Sequence, residues 1–243
     1  MRFFLKKDEI QNNKCTITGE DITHIKDVMR LGPGDKITVC DGHCNDYLCQ
    51  IDKLKKDYIY LNILEKTVNK AEAKLDLTLF QALTKGPKAE VIIQKTVELG
   101  VRQIIFLETD RSILKHKDGE KKLERWAKIS KSAAMQSGRG IVPNISVAKF
   151  TQGLEMAGNI SLSLMAHEVE KDTTIRNVIQ NTKPNVSMAL FIGPEGGFTK
   201  DEAANAAALG IHHVTLGPRI LRLETAAIVT TAILLHEMGE LGQ

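Results

Sequence analysis

The sequence predicts an α/β protein: a small β-rich module, then a larger domain in which buried strands alternate with helices around a largely parallel sheet. Three observations carry this expectation. Before about residue 70, short runs rich in β-branched or alternating apolar residues sit between Gly, Asp and Asn, as in CTITG, GDKITVCDG, DYLCQIDKL and YIYLNILEKT. From Leu75 onward, the apolar runs LDLTLFQAL, VRQIIFLET, ISLSLMAHE, VSMALFIG and IHHVTLG are separated by helical patterns. The 243 residues exceed the usual span of about 100–200 per domain, and the polar stretch VNKAEAK marks the change of pattern, dividing the chain into residues 1–70 and 75–243.

Within the first module DITHIKDVMR is the one helical segment, with Asp21 as its cap and Ile22, Ile25, Val28 and Met29 at helical spacing. CDGHCNDYLC brings Cys40, His43, Cys44 and Cys49 together, but Asp41-Gly42 is a hairpin turn signal and the spacing lacks paired metal-binding elbows. The expectation is a hairpin whose cysteines, with Cys15, serve as small hydrophobes, and no metal site. In the second domain GPKAEVIIQKTVELG puts Ala89, Ile92, Ile93, Thr96 and Val97 on one helical face before Gly100 ends it. TTIRNVIQ and KDEAANAAAL read as further helices. The last, Thr225 to Leu235, is apolar all round, with Ala226, Val229, Thr230, Ile233 and Leu234 on one face, so one face is free for a partner once the other meets the sheet.

Composition excludes several classes. With 42% hydrophobic and 26% charged residues the chain has a globular make-up. The start MRFFLKKDE is too short in apolar residues for a signal peptide, and AAIVTTAILL falls well short of the roughly 20 residues that span a bilayer, so a cytoplasmic protein without a membrane partner is expected. There is no GxGxxG opening a helix, no GxxxxGK[ST], no HExxH and no GxSxG.

Ligands of open parallel sheets sit outside the carboxyl ends of the strands. Three such ends carry unusual loops: Ala166-His167-Glu168, Gly193-Pro194-Glu195-Gly196-Gly197 and Gly217-Pro218-Arg219-Ile220-Leu221-Arg222. Glycines let a backbone approach a ligand closely, which suits a flat neutral group such as adenine held by main-chain bonds. GPEGG also reads as a plain turn, with Thr199 capping the next helix and Glu202 completing a capping box. Two glycine-proline loops at adjacent strand ends, the second followed by ILRLETAA, favour a site.

GPEGGFTKDE together with LGPRILRLETAA resembles the RsmE-type 16S rRNA uracil-N3 methyltransferases, of the SPOUT class. KGPKAEVIIQKTVELGV, Asp110-Arg111-Ser112 and AAMQSGRGIVPNI extend the likeness over nearly the whole chain. One departure is Met135-Gln136-Ser137, where the family commonly has Glu-Gln-Ser. The resemblance implies a SPOUT-type trefoil-knotted parallel sheet, one of the few exceptions to the no-knot rule, preceded by a small PUA-like RNA-binding barrel. It implies S-adenosylmethionine as cofactor, held by Ala166, His167, Ile192, Gly193, Pro194, Glu195, Gly196, Gly197, Leu216, Gly217, Leu221, Leu223 and Thr225. It also implies a homodimer and, as substrate, 16S rRNA within the small ribosomal subunit. RNA contact falls to Arg2, Arg30, Lys85, Lys88, Arg111, Lys115, Gln136, Ser137 and Arg139.

A net charge of +3 argues little for RNA, but its distribution does better: residues 111–139 collect Arg111, Lys115, Lys117, Lys121, Lys122, Arg125, Lys128, Lys131 and Arg139 against Asp118, Glu120 and Glu124. Such a stretch neutralises phosphates, or forms an ordinary solvated helix face. Trp126 reads as core. Methylation at uracil N3 needs its proton gone while negative charge spreads to the carbonyl oxygens. An arginine suits that charge and, with a pKa above 12, is a poor base, so Arg222 is the expected catalytic residue and stabilises uridinate. Two other readings stay open: an RNA-binding assembly factor without a cofactor, and a related enzyme acting on another RNA or atom.

Overall fold

The computed structural model describes residues 2–6, 9–11, 13–112, 119–180, 182 and 186–242. They form two compact units, Met1–Glu72 with Ala134–Val142, and Ala73–Ala133 with Pro143–Gln243.

The first unit holds β1 (Arg2–Phe4), β2 (Ile10–Gln11), β3 (Lys14–Thr18), β4 (Lys36–Cys40), β5 (Asn45–Leu54) and β6 (Tyr58–Val68) in one sheet of order β1-β4-β5-β6-β3-β2. Only the β1–β4 pair is parallel. The sheet is therefore an open half-barrel. Alternation fixes its inner face: Ile51, Leu61 and Cys15 lie opposite one another, as do Ile59 and Ile17, and all join Phe3, Ile37, Val39 and Cys49 in one apolar core. β1 and β2 are too short to leave a periodic signal and were not foreseen in the sequence.

The expected helix at 21–30 starts as α1 (Glu20–Thr23) and widens into a π-helical turn, His24–Val28. The extra residue in that turn rotates Val28 off the apolar face, leaving it 67% exposed, whereas Ile22 and Ile25 stay buried. The cysteines lie in and around the core: Cys15 Sγ lies 3.7 Å from Cys49 Sγ, and buried Cys40 donates to Gly140 O. Residues 134–142 join this unit through Glu72, which binds the Arg139 guanidinium at 2.7 Å and accepts the Gly140 and Ile141 N–H groups. Met135 packs on the half-barrel core.

The second unit carries β7 (Asp76–Ala82), β8 (Gln103–Glu108), β9 (Asn144–Lys149), β10 (Leu162–Ala166), β11 (Ser187–Ile192) and β12 (His212–Val214). All pair in parallel, in the order β12-β10-β11-β7-β8-β9. The order turns back between β7 and β11, the place where an open α/β sheet offers a crevice. Between the strands run α2 (Gly86–Leu99), α3 (Gly119–Gln136), α4 (Phe150–Ala157), α5 (Ile175–Ile179) and α6 (Lys200–Ala208), and α7 (Leu223–Glu237) ends the unit. β9 and α4 were not foreseen.

α2 carries Pro87 in its first turn, buries Ala89, Ile92, Ile93, Thr96 and Val97, and stops at Gly100, whose φ of 122° no β-carbon tolerates well. α7 packs on α2 and β11, burying Leu223, Ala226, Ala227, Leu234 and Leu235, while Val229 and Ile233 remain exposed. Adjacent β7 and β11 stack Phe80 on Phe191 with ring centres 4.4 Å apart, and Trp126 lies against Phe106, buried. Among the described residues no helix is long and apolar enough to cross a membrane.

Candidate active site

The loops after β10, β11 and β12 converge because those strands are neighbours. Since β10 lies between the other two, the two glycine-proline loops flank the Ala166-His167-Glu168 loop and are not themselves adjacent, as the sequence had suggested. They enclose a cavity of about 550 Å³, within the roughly 300–1,000 Å³ of small-molecule sites. Ala166, Ile192, Leu216, Leu221, Leu223 and Ala226 give it apolar walls, and Lys88, Glu168, Lys171, Glu195, Arg219 and Arg222 give it charge of both signs.

Hydrogen bonds hold the first two of these loops in place. The Glu170 carboxylate accepts the N–H groups of Lys171, Asp172 and Thr173, folding the chain so that Thr173 O takes the Thr215 N–H at 2.8 Å. These bonds hold the Glu170 carboxyl below its ordinary range. The GPEGG loop closes on a turn, Gly197 N–H to Pro194 O at 2.9 Å. Glu195 accepts from Lys88 Nζ at 2.7 Å and from Thr84 Oγ1 at 3.3 Å, and the lysine above all keeps its carboxyl below the usual value. On the other side Arg111 Nη1 donates to Gly196 O at 2.6 Å. The expected capping box is present: Thr199 Oγ1 accepts the Glu202 N–H, and buried Glu202 accepts the N–H groups of Thr199 and Asp110.

At two glycines a β-carbon would crowd its neighbours. A β-carbon on Gly193 would stand 3.2 Å from the Phe198 ring, and one on Gly197, whose φ is +68°, would stand 2.1 Å from Glu168 Oε1. Cavity-lining Leu216 and Leu221 have N–H groups that donate to no other group among the described residues, and α7 opens at Arg222 without a side-chain cap. Apolar walls, spare main-chain donors and charges of both signs are what a flat base, a ribose and a zwitterionic amino-acid tail require. The residues present therefore fit S-adenosylmethionine.

Near the cavity His167 and His213 meet edge to face at 5.0 Å. Burial first, then the charge of His167, pushes the His213 imidazole below its ordinary value, and its Nε2 is buried without a partner among the described residues.

A half-barrel in one unit and a parallel sheet with three looped strand ends in the other define the class, an RNA methyltransferase with a PUA domain. A family model described as RNA methyltransferase domain matches residues 71–235, and one described as RNA methyltransferase PUA domain matches residues 17–64. The chain is 32% identical to ribosomal RNA small subunit methyltransferase E of Bacillus subtilis, covering 97% of this chain and 96% of that one. It is 35% identical to the protein of that name from Mesomycoplasma hyopneumoniae, over 93% and 95% of the two chains. A crystal structure of ribosomal RNA small subunit methyltransferase E from Neisseria gonorrhoeae bound to S-adenosyl methionine superposes with a TM-score of 0.86, at 29% identity over 99% of both chains. The structure of a methyltransferase from Legionella pneumophila in complex with the bound cofactor SAM gives a TM-score of 0.87, at 30% identity over 97% of both chains. The chain belongs to the ribosomal RNA small subunit methyltransferase E family.

The cavity gathers every residue expected to hold the cofactor except Thr225, which is exposed on α7, off the face formed by Arg222, Leu223 and Ala226. Arg222 lines the wall and is exposed. Lys171, Thr215 and Ala226 line it too and were missed; the helical step from Arg222 to Ala226 was the available signal for the last.

The residues expected at RNA are scattered in role. Arg30, Lys85 and Gln136 are exposed, and Ser137 is half-buried. Lys88 faces the cavity and holds Glu195, and exposed Arg111 holds the GPEGG loop. Arg2 binds Asp46 and the Arg139 carbonyl, and Arg139 is only 2% exposed with its charge spent on Glu72. Burial thus takes Arg139 off the surface where phosphates were expected. Lys115, like Lys117, lies outside the described residues. Of the remaining basic stretch, Lys122 lies over the Trp126 ring and Arg125 pairs with Glu90.

Proposed function

We propose that this chain transfers a methyl group from S-adenosylmethionine to N3 of a specific uridine in the 16S rRNA of the small ribosomal subunit. The observation that carries the reading is the three-loop cavity with Arg222 on its wall, in a chain of this family. The cofactor supplies a methyl group on a sulfonium, which leaves as a neutral thioether when the N3–C bond forms. Uracil N3 ionises not far above neutral pH, so its proton can leave to water, and no carboxylate is assigned to it. Arg222 donates to the carbonyl oxygens beside N3, where the negative charge of uridinate spreads. Its planar fork suits two acceptors, and its permanent charge keeps it a donor throughout.

Residues 1–70 serve as the RNA-binding domain of this reading and residues 75–243 as the catalytic one. Its C-terminal segment forms a trefoil knot, a reading supported by the return of α7 onto α2 and β11 after the three loops. The protein works as a cytoplasmic homodimer on the assembled small subunit. Exposed Val229 and Ile233, one helical turn apart on α7, supply the apolar face for the second copy. Mass mapping of modified nucleosides in 16S rRNA from a strain lacking the gene tests the function. One N3-methyluridine should vanish and return on complementation with this chain; an unchanged nucleoside map would sink the reading.

A further inference from the structure

The outward face of the half-barrel carries a feature that packing does not explain. The first residues of strand β6 alternate, with Ile59 and Leu61 in the core and Tyr58 and Tyr60 pointing out, 43% and 41% exposed. Their rings lie 5.6 Å apart, tilted by 54°, and neither hydroxyl has a hydrogen bond among the described residues. Register places Lys53 of β5 and Thr16 of β3 on either side of Tyr60, Thr18 beside Tyr58, and Gln50 and Lys14 on either side of Asn62. The pair is thus framed by short polar side chains and by lysines. Lys55 and Lys56 of the adjoining hairpin add exposed cations, against Asp52 and Asp57.

Two neighbouring exposed rings on a sheet with cations beside them are what unpaired bases stack on, since every base has a flat face and carries a phosphate that lysine can meet. We propose that Tyr58 and Tyr60 form a stacking platform for a single-stranded RNA segment, with Lys14 and Lys53 on the backbone phosphates. This rests on the proposed rRNA methyltransferase function and names a face through which the first unit grips its substrate. RNA is favoured over a protein partner because the surround is small, polar and cationic. The positions flanking the rings are Thr16, Thr18, Gln50 and Asn62, which separate them from exposed Leu64 further along the strand, whereas a protein-binding face would carry its apolar surface unbroken from the rings.

The test compares the full-length protein with Y58T/Y60T, which keeps β-branched residues on the strand, and Y58F/Y60F, which keeps the rings. Small subunits from a strain lacking the methylation serve as substrate, and a labelled oligouridylate measured by fluorescence anisotropy gives binding without catalysis. The Thr pair should raise the KM for subunits and the Kd for the oligonucleotide by roughly five- to a hundredfold, the loss of one stacked base. kcat at saturation, cofactor affinity and thermal melting should hold. The Phe pair should match the wild type. A folded Thr variant with unchanged Kd overturns the platform, as does an equal loss in the Phe variant, which would point to the hydroxyls or to a protein contact. Ring-dependent binding of the oligonucleotide by a wild-type protein that methylates no subunit would keep the platform and reject the methyltransferase reading instead.

Discussion

Gly197→Ala separates the backbone demands of the GPEGG loop from its side-chain surroundings. The new β-carbon would lie 2.1 Å from Glu168 Oε1, 2.8 Å from Cδ and 2.9 Å from Oε2, all closer than van der Waals contact allows. The Glu168 carboxylate is the far end of an exposed side chain and can swing away, so the overlap itself is cheap to relieve. What it cannot relieve is φ of +68°, which costs an L-residue about 1–2 kcal/mol. Folding stability should therefore fall by about 1–2 kcal/mol, a drop of about 2–4 °C in Tm per kcal/mol for a domain of this size. Cofactor affinity should fall by about tenfold or more, about 1.4 kcal/mol, because the turn closed by Gly197 N–H and Pro194 O shifts while a displaced carboxylate enters the cavity wall. Calorimetry with S-adenosylmethionine and thermal melting should be run on Gly197→Ala, Glu168→Ala and the double variant. The double variant should recover affinity but not melting temperature, since removing the carboxylate leaves the backbone strain. Wild-type affinity and melting in Gly197→Ala would refute both parts of this reasoning.

Other outcomes follow from the same geometry. Arg222→Lys should lower single-turnover methylation of small subunits by roughly a hundred- to a thousandfold with cofactor affinity and melting unchanged, the usual loss of one preorganised donor, about 2.7–4 kcal/mol; a near-wild-type rate rejects the role. Arg111→Ala frees the Gly196 carbonyl and should weaken cofactor binding more than RNA binding, whereas a phosphate contact would show the reverse in paired titrations. Lys88→Met should weaken cofactor binding only a few-fold, because the Lys88–Glu195 pair is partly exposed and solvent screens such pairs; calorimetry with the cofactor checks this. Since the Glu195 carboxyl is held below its ordinary 4.5, its contribution is fully present above that value and lost as pH falls through the lowered one. His213, also lowered, favours the neutral form when folded, so stability should erode as pH drops below 6.5; urea melts should show this slope flattened in His213→Gln.

What the sequence made legible was whatever repeats at short range. The strand pattern of LDLTLFQAL and VSMALFIG marked β7 and β11, the face Ala89 to Val97 marked α2, and Thr199 with Glu202 marked the start of α6. The three loops were visible because glycine and proline announce a backbone that does something unusual. β1, β2 and the π turn at His24–Val28 were not, being too short or too irregular for a period to register. Charge was the least legible property. A guanidinium looks the same in sequence whether it meets a phosphate, as expected of Arg139, or a carboxylate 67 positions earlier, as Glu72 does for it. Only long-range pairing tells the two apart, and no local pattern encodes it.

The arrangement of side chains around GPEGG explains how a loop with so much glycine can still hold one shape. Glycine lets the backbone face the ligand, but the same freedom leaves the loop without a preferred shape. Here the shape is imposed from behind. Glu195 is anchored on Thr84 and Lys88 at the start of α2, Gly196 O on Arg111 beyond β8, and the exit of the loop on the Thr199–Glu202 box, which itself reaches Asp110 N–H. The anchors come from α2, from the segment after β8 and from the start of α6, and act on different residues of the loop, so no single bond need be strong for the whole to be preorganised. The charged residues that carry these anchors are then the ones a surface reading takes for nucleic-acid contacts. Their loss should appear first in cofactor affinity, and only through it in methylation.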